Sequence, residues 1–194
     1  MVVLVLFAAC SILAPRPDPS RFFVLEAIPP AGVLPVRSAG NPFVGLGPIR
    51  LPDYLVDRRE MITRRSATEV EPSKIDRWAE PLDVAIPRVL GLDLSSELGQ
   101  QGVVLYPWYE TQSPDFQVVV NFERFEIDAD GNAALVARFE ARGLHGPERR
   151  LYRETRASRT PATGDAAARA AALSDVLAEL ARDIAAAIQE LEAT

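Results

Sequence analysis

The sequence is poor in the residues that carry most covalent and metal chemistry. Its 194 residues include one cysteine, Cys10, and one histidine, His145. A single cysteine excludes an intrachain disulfide, and one of each excludes a zinc site built on a Cys/His cluster. A Cys–His nucleophilic pair would have to recruit Cys10 from an apolar N-terminal run. There is no Gly-x-Ser-x-Gly elbow and no Walker loop. Lysine is almost missing too: of 21 basic residues only Lys74 is lysine, and the rest are arginine. Against 27 acidic residues this leaves a net charge of −6, which argues against coating nucleic acid. Carboxylates are plentiful, yet no two stand in a recognisable catalytic context. The expectation is therefore no enzyme, no catalytic residue, no metal ligand and no cofactor.

What is present reads as one globular domain behind a leader. Apolar residues make up 48% and charged residues 25%, and the length suffices to bury a core without staples. Residues 1–9 are uncharged and apolar. They fall far short of the roughly 20 residues that span a bilayer but fit the apolar region of a signal peptide. No basic stretch precedes them, which points to a start upstream of Met1. Phe7-Ala8-Ala9-Cys10 then has the form of a bacterial lipobox, with small residues before the cysteine that takes the lipid. Cys10 is thus the expected lipidation site. Serine follows at Ser11, a residue that in Gram-negative lipoproteins commonly permits export to the outer membrane. Pro15, Pro17 and Pro19 alternate in the next stretch and favour a semi-rigid polyproline tether. At about 3.1 Å per residue, residues 11–20 span roughly 30 Å. The expected organisation is residues 1–9 as signal peptide, 10–20 as lipidated cysteine and tether, and 21–194 as folded domain.

Within the domain, β-favouring residues predict strands over 21–27 and 43–49, the second near-continuously apolar and so central. Residues 28–42 read as loop, and 52–55 as a turn or a single helical turn. Short strands are expected over 60–64 and 68–71. Residues 75–99 read as a helix, with Pro81 in its first turn and Pro87 kinking it or marking its true start. Strands follow over 103–106, 115–128, 134–143 and 148–158, the last so charged that it belongs at an edge. In the longest, Phe116, Val118, Val120 and Phe122 share one face, but Phe125 and Ile127 are out of phase. Either a bulge near Glu123-Arg124 or cover on both faces accounts for that. Asp130-Gly131 signals a hairpin. Alanine and a leucine/isoleucine stripe predict a helix over 165–191, capped by Asp165. Strands, helix, strands, helix imply a single α/β or α+β domain with a mixed sheet of about five strands and two long helices.

Several motifs fit duller roles better than the chemistry they resemble. Gly45-Leu46-Gly47 opens like a dinucleotide fingerprint, but Pro48 and Pro52 prevent the helix a phosphate cradle needs. A glycine-rich strand with close backbone packing is expected instead. Asp128-Ala129-Asp130-Gly131 begins like a calcium loop with the glycine misplaced, and reads as the hairpin turn. His145 reads as a loop residue. Trp78, three residues before Pro81, and Trp108, directly after Pro107, can serve as core or as interface anchors. Pro52, Tyr54 and Leu55 and, separately, Pro107, Trp108 and Tyr109 follow apolar strands. If those strands are parallel neighbours, both aromatic groups leave the same sheet edge and make a candidate partner-binding surface.

Longer stretches carry a resemblance. Phe22-Phe23-Val24-Leu25, Gly45-Leu46-Gly47-Pro48-Ile49-Arg50-Leu51-Pro52-Asp53-Tyr54-Leu55 and Met61-Ile62-Thr63-Arg64 lie in its first half. Arg77-Trp78-Ala79-Glu80-Pro81-Leu82, Tyr106-Pro107-Trp108 and Phe116-Gln117-Val118 continue it. Together they resemble the auxiliary lipoproteins of ABC-type transport systems, the PqiC (YmbA) group, over roughly residues 10–192. The resemblance implies a three-layer α/β domain similar to anticodon-binding-like and TolB N-terminal folds. It implies a lipoprotein on the periplasmic face of a Gram-negative outer membrane, with ring-forming homo-oligomers as one assembly. Its implied partners are an MCE-domain protein and inner-membrane transporter subunits, its implied cargo phospholipid or another hydrophobic molecule. Two mechanisms stay open: docking or capping the MCE protein, and carrying lipid within the domain itself.

Two or three acyl chains give stable attachment where one is marginal, at about 0.8 kcal/mol per buried CH₂. Cys10→Ala, expressed behind a complete signal sequence, is therefore expected to accumulate unprocessed or in the wrong compartment. Membrane fractionation checks this, and a mature-length species in outer membranes would overturn the lipobox reading.

Overall fold

The computed structural model describes residues 17–30, 32–34, 42–99, 102–109 and 111–193. The expected signal peptide, Cys10, Ser11 and Pro15 lie outside the described residues. The elements in chain order are β1 (Arg21–Phe23), β2 (Val44–Arg50), β3 (Glu60–Arg64), β4 (Val70–Trp78), α1 (Leu82–Glu97) and β5 (Val103–Leu105). They continue with β6 (Phe116–Ile127), β7 (Ala133–Gly143), β8 (Arg150–Arg159) and α2 (Ala166–Glu192). All the strands join one eight-stranded mixed sheet, more than the five or so expected from sequence. The short segments already read as strands all enter the sheet: β1 and β5 have three residues each and β3 five. Segments that short show little alternation of their own and become strands by pairing with longer neighbours.

β6 organises the sheet. Along one edge it pairs antiparallel with β7 over its full length, and β7 pairs in turn with β8, which is an edge strand as its charge implied. Its other edge is shared. The first half, Phe116 to Asn121, takes β2 in parallel, and β5 lies beyond β2, also parallel. The far end, at Ile127, takes β3, beyond which come β4 and β1. The sheet therefore forks at β6.

The phase break in β6 is a bulge. Phe122 pairs with Ala137, and the next paired residue, Arg124, faces Val136, leaving Glu123 as the extra residue. The insertion returns Phe125 and Ile127, each 2% exposed, to the same core as Phe116, Val118, Val120 and Phe122. It also places Glu126 on the opposite face.

Both helices pack on one face and touch each other. α1 lies over β2 and β5, where Gly91 approaches Leu46 and Leu105. α2 lies over β6, β7 and β8 and buries Leu173, Leu177, Leu180, Ile184 and Ile188. Asp165 caps α2 as expected, its side chain accepting from Ala168 N at 2.9 Å. On the opposite face the layer over β2 is loop rather than helix: Trp108 and Pro114 lie against Gly45.

The first predicted helix was placed too early. Residues 75–78 belong to β4, and α1 starts at Leu82, with Pro81 as its cap rather than in its first turn. Trp78, 3% exposed, is pulled into the core by β4 pairing with β1 and β3. Pro87 sits inside α1, where it forgoes one backbone bond near the N-terminal end. The first predicted strand is also shorter, ending at Phe23. Its continuation leaves the sheet and crosses the helices. Glu26 N donates to Ser174 Oγ of α2 at 3.1 Å, and Ile28 N to Asp93 Oδ1 of α1 at 2.8 Å.

Deleting Glu123 tests the role of the bulge. Without it Phe125 and Ile127 turn to the outer face and Glu126 into the core. Exposing two such side chains costs on the order of 3–6 kcal/mol before the buried charge is counted. The expected result is loss of a cooperative unfolding transition in denaturant.

Candidate functional site

The face away from the helices carries two groups that the sequence singled out. At the C-terminal end of β6, the single 3-10 turn Asp53–Leu55 fills the fork between β2 and β3. Leu55 enters the core at 1% exposure, and Pro52 caps the turn. Tyr54, half-buried, donates its hydroxyl to Glu126 Oε2 at 2.7 Å. Glu126 is 1% exposed and is also bound by Arg64 of β3 and, at 3.0 Å, by Arg124. One buried carboxylate thus ties the turn, β3 and β6 together.

Burial raises the Glu126 pKa, but hydrogen bonds from Arg64, Tyr54 and Arg124 outweigh it and leave the carboxyl below its usual range. Burial, then the hydrogen bond to Glu126, pushes the Tyr54 hydroxyl up to about 12. The cluster therefore holds a carboxylate anion and a neutral phenol at neutral pH. Such an arrangement fixes structure and offers neither a poised base nor a nucleophile. A second buried carboxylate behaves in the opposite way. Asp93 is 2% exposed, its Oδ2 has no hydrogen-bond partner, and burial raises its pKa to about 6.

The other group lies beyond β5. Tyr106 and Trp108 make an edge-to-face pair with ring centroids 5.5 Å apart. Trp108 folds back over β2: a Cβ at Gly45 would lie 2.8 Å from its ring carbons. The close backbone approach expected of the glycine-rich strand is thus made by an indole. Pro107 is exposed, Tyr106 is 55% exposed and Tyr109 78% exposed.

β2 and β5 are parallel neighbours, the condition set for the two groups to meet, yet they do not meet. Gly45, under Trp108, pairs with Gln117, whereas Tyr54 reaches Glu126, nine residues further along β6. Nine strand residues span about 30 Å. β2 runs on past the end of β5 before the chain turns, so the 52–55 and 106–109 segments leave at different levels. Of the six singled-out residues, Pro107, Trp108 and Tyr109 form one surface. Tyr54 and Leu55 are structural, with Pro52 beside them.

Sequence reasoning missed Glu126, Arg64, Arg124 and Asp93. The phase break at Glu123 was the available signal for Glu126, because a bulge there turns it to the outer face. Asp93 stands between Leu90 and Leu94 in the apolar stripe of α1, where a charged residue is out of place. His145 lies in a loop, with Nε2 3.4 Å from Ser113 Oγ. Among the described residues no group of three or more His, Cys, Asp or Glu could hold a metal ion. No described helix is long and apolar enough to cross a membrane.

This architecture is shared. A crystal structure of an uncharacterized protein superposes with a TM-score of 0.70 at 18% identity, covering 87% of this chain and 98% of that one. Protein XCC0632 from Xanthomonas campestris, of the DUF330 family, superposes with a TM-score of 0.65 at 17% identity, covering 90% and 100%. No curated protein matches the sequence. The fold is that of a mixed α/β domain similar to the DUF330 structure. A family model described as the ABC-type transport auxiliary lipoprotein component matches residues 23–185. The chain belongs to that family.

The two buried carboxylates give pH dependences of opposite sign. Glu126 has a lowered native pKa, so its contribution to stability is present above 4.5 and is lost as pH falls through the native value. Asp93 has a raised one, so its contribution is present below 3.8 and is lost as pH rises toward 6. Urea unfolding across pH is expected to show Glu126→Gln less stable by about 2 kcal/mol near neutrality with a flatter acid limb. Asp93→Asn is expected to flatten the decline between pH 4 and 6.

Proposed function

We propose that this transport auxiliary lipoprotein is anchored by acylated Cys10 in the periplasmic leaflet of the outer membrane. There the domain docks on or caps an MCE-domain protein that works with an inner-membrane ABC transporter and hands lipid to the membrane. Residues 1–9 are the signal peptide, 10–20 the lipidated cysteine and tether, and 21–194 the docking domain. Family membership supports the transport role and the lipoprotein character. The lipobox and Ser11 support the outer-membrane anchor.

The observation that carries the docking surface is the loop after β5. Trp108 is pinned on Gly45, and Tyr106, Pro107 and Tyr109 stand exposed around it. Rigid aromatics beside proline lose little entropy on binding and are frequent interface anchors. The placement is suitable as well. The tether joins β1, in the β3–β4–β1 branch and toward the C-terminal end of β6, whereas the loop lies near its N-terminal end. About eight residues of β6 separate their levels, roughly 25 Å along the strand. The membrane attachment and the partner surface thus face apart. Pro52, Tyr54 and Leu55 have no part in this surface.

Tyr109→Ala is expected to abolish capture of the MCE partner with melting temperature unchanged. Tyr54→Phe, which removes one hydrogen bond to a charged group, is expected to cost about 1–2 kcal/mol and leave capture intact. Unchanged capture by Tyr109→Ala would move the docking surface elsewhere. Phospholipid retained on the domain in native mass spectrometry would favour carriage of lipid by the domain.

A further inference from the structure

The end of the domain that receives the tether carries a second feature. β4 bulges there: Glu60 of β3 faces Arg77, but Ile62 faces Pro72, so residues 73–76 stand opposite the single residue Met61. Ser73 Oγ accepts from Asp76 N at 3.0 Å and holds the bulge in a turn. Bulges re-aim side chains, and this one presents Lys74, the single lysine of the chain, at the rim of a cleft of about 250 Å³. Arg65 after β3 and Arg169 in the first turn of α2 line the same cleft, together with Thr63, Glu71 and Ser73. Arg65 is paired with Glu71 at 2.5 Å. Among the described residues Lys74 and Arg169 have no carboxylate partner, and Arg169 Nε is a buried donor without a hydrogen bond. In a chain of net charge −6, two unpaired cations around one cleft form a local anion site.

Its place in the fold narrows the anion. β1 runs parallel to β4 with Arg21 opposite Asp76, so the chain arriving through Pro19 and Ser20 runs beside the Lys74 bulge. On the other side of the first turns of α2, a groove is lined by Ala167, Ala170, Ala171, Phe23 and Glu26 together with Phe22 and Val24, which are 59% and 54% exposed. Cations beside exposed apolar side chains, where a short tether arrives, fit the interface of a phospholipid bilayer.

We propose that the Arg65–Lys74–Arg169 cleft binds the phosphate of a phospholipid headgroup. Phe22 and Val24 rest at the acyl boundary, so that the domain sits on the membrane through its tether end. The proposal rests on the lipoprotein reading for the membrane's presence, but it concerns a site in the folded domain and is tested without the acyl anchor on Cys10.

The full chain carrying Cys10→Ser is compared with the same chain carrying in addition Lys74→Glu and Arg169→Glu. Cosedimentation uses vesicles of phosphatidylcholine with and without phosphatidylglycerol. The unmodified N-terminal segment is common to both proteins, so their difference reports the cleft. A basic residue near an anionic surface changes affinity about fivefold, so the double reversal is expected to weaken binding to phosphatidylglycerol vesicles by well over tenfold. Lys74→Glu alone, at an exposed position outside the core, is expected to lose about fivefold or more with unchanged melting. Equal binding by all three proteins overturns the proposal whether or not Cys10 is acylated in cells. Inorganic phosphate raising the melting temperature of the Cys10→Ser chain, without charge-dependent vesicle binding, also overturns it, because the cleft would then take a free anion. Failure of Cys10→Ala to mislocalise would overturn the anchor and leave this result standing.

Discussion

The buried carboxylate of Glu126 holds the sheet together where it divides. β6 gives one edge to β7 and splits the other between β2 and β3, and the 52–55 turn must fill the gap. An apolar filler could occupy that space without fixing the angle between the branches. Glu126 is bound at once by Arg64 of β3, Arg124 of β6 and Tyr54 of the turn, so each branch has a directed bond to one point. A buried charge is tolerated only when paired and hydrogen-bonded, and here three donors compensate one anion. Glu126 reaches the outer face because Glu123 bulges, and the same bulge returns Phe125 and Ile127 to the core. One inserted residue therefore sets both the apolar and the polar side of the far half of the sheet.

The fork also gives the domain two different ends. Toward the start of β6, the loop after β5 is braced by an indole on a glycine and leaves two tyrosines in solvent. Toward its finish lie the incoming tether, the bulge of β4 and the first turns of α2. In the proposed role these are the partner end and the membrane end, and the rigidity of β6 keeps them apart. The face of β7 and β8 turned away from the helices is different again. It carries a ladder of arginine and glutamate pairs, among them Arg138 with Glu123 and Glu154, and Arg150 with Glu140. Exposed pairs of this kind add little stability each, but charges along the β8 edge discourage strand-to-strand association.

Long, regular elements were readable from sequence because their signals are local. The stripe from Leu173 to Leu191 and the cap at Asp165 specify α2, the alternation in β6 and β7 with Asp130-Gly131 between them specifies the hairpin, and the charge of β8 marks an edge. The ends of β1 and β4 and the start of α1 were less legible. Residues 75–78 satisfy a helical spacing, but pairing with β1 and β3 makes them strand and leaves Pro81 to begin the helix. Pairing partners lie far away in the chain, and no local window contains them.

The candidate surface shows the same division. Sequence alone determined that Tyr54 and Trp108 each follow an apolar strand beside a rigid proline, and that Cys10 is the only thiol ahead of a proline-rich stretch. Only the tertiary structure decided that Tyr54 is a half-buried strut and the 106–109 loop is the exposed surface. The cause is the unequal length of β2 and β5, which releases the two segments at different levels of β6, one under Glu126 and the other over Gly45. Likewise, Arg65, Lys74 and Arg169 are scattered in the chain and become one cleft through the bulge of β4 and the position of α2. Local propensity chooses the elements, while register and strand length, which depend on distant partners, choose which side chains meet.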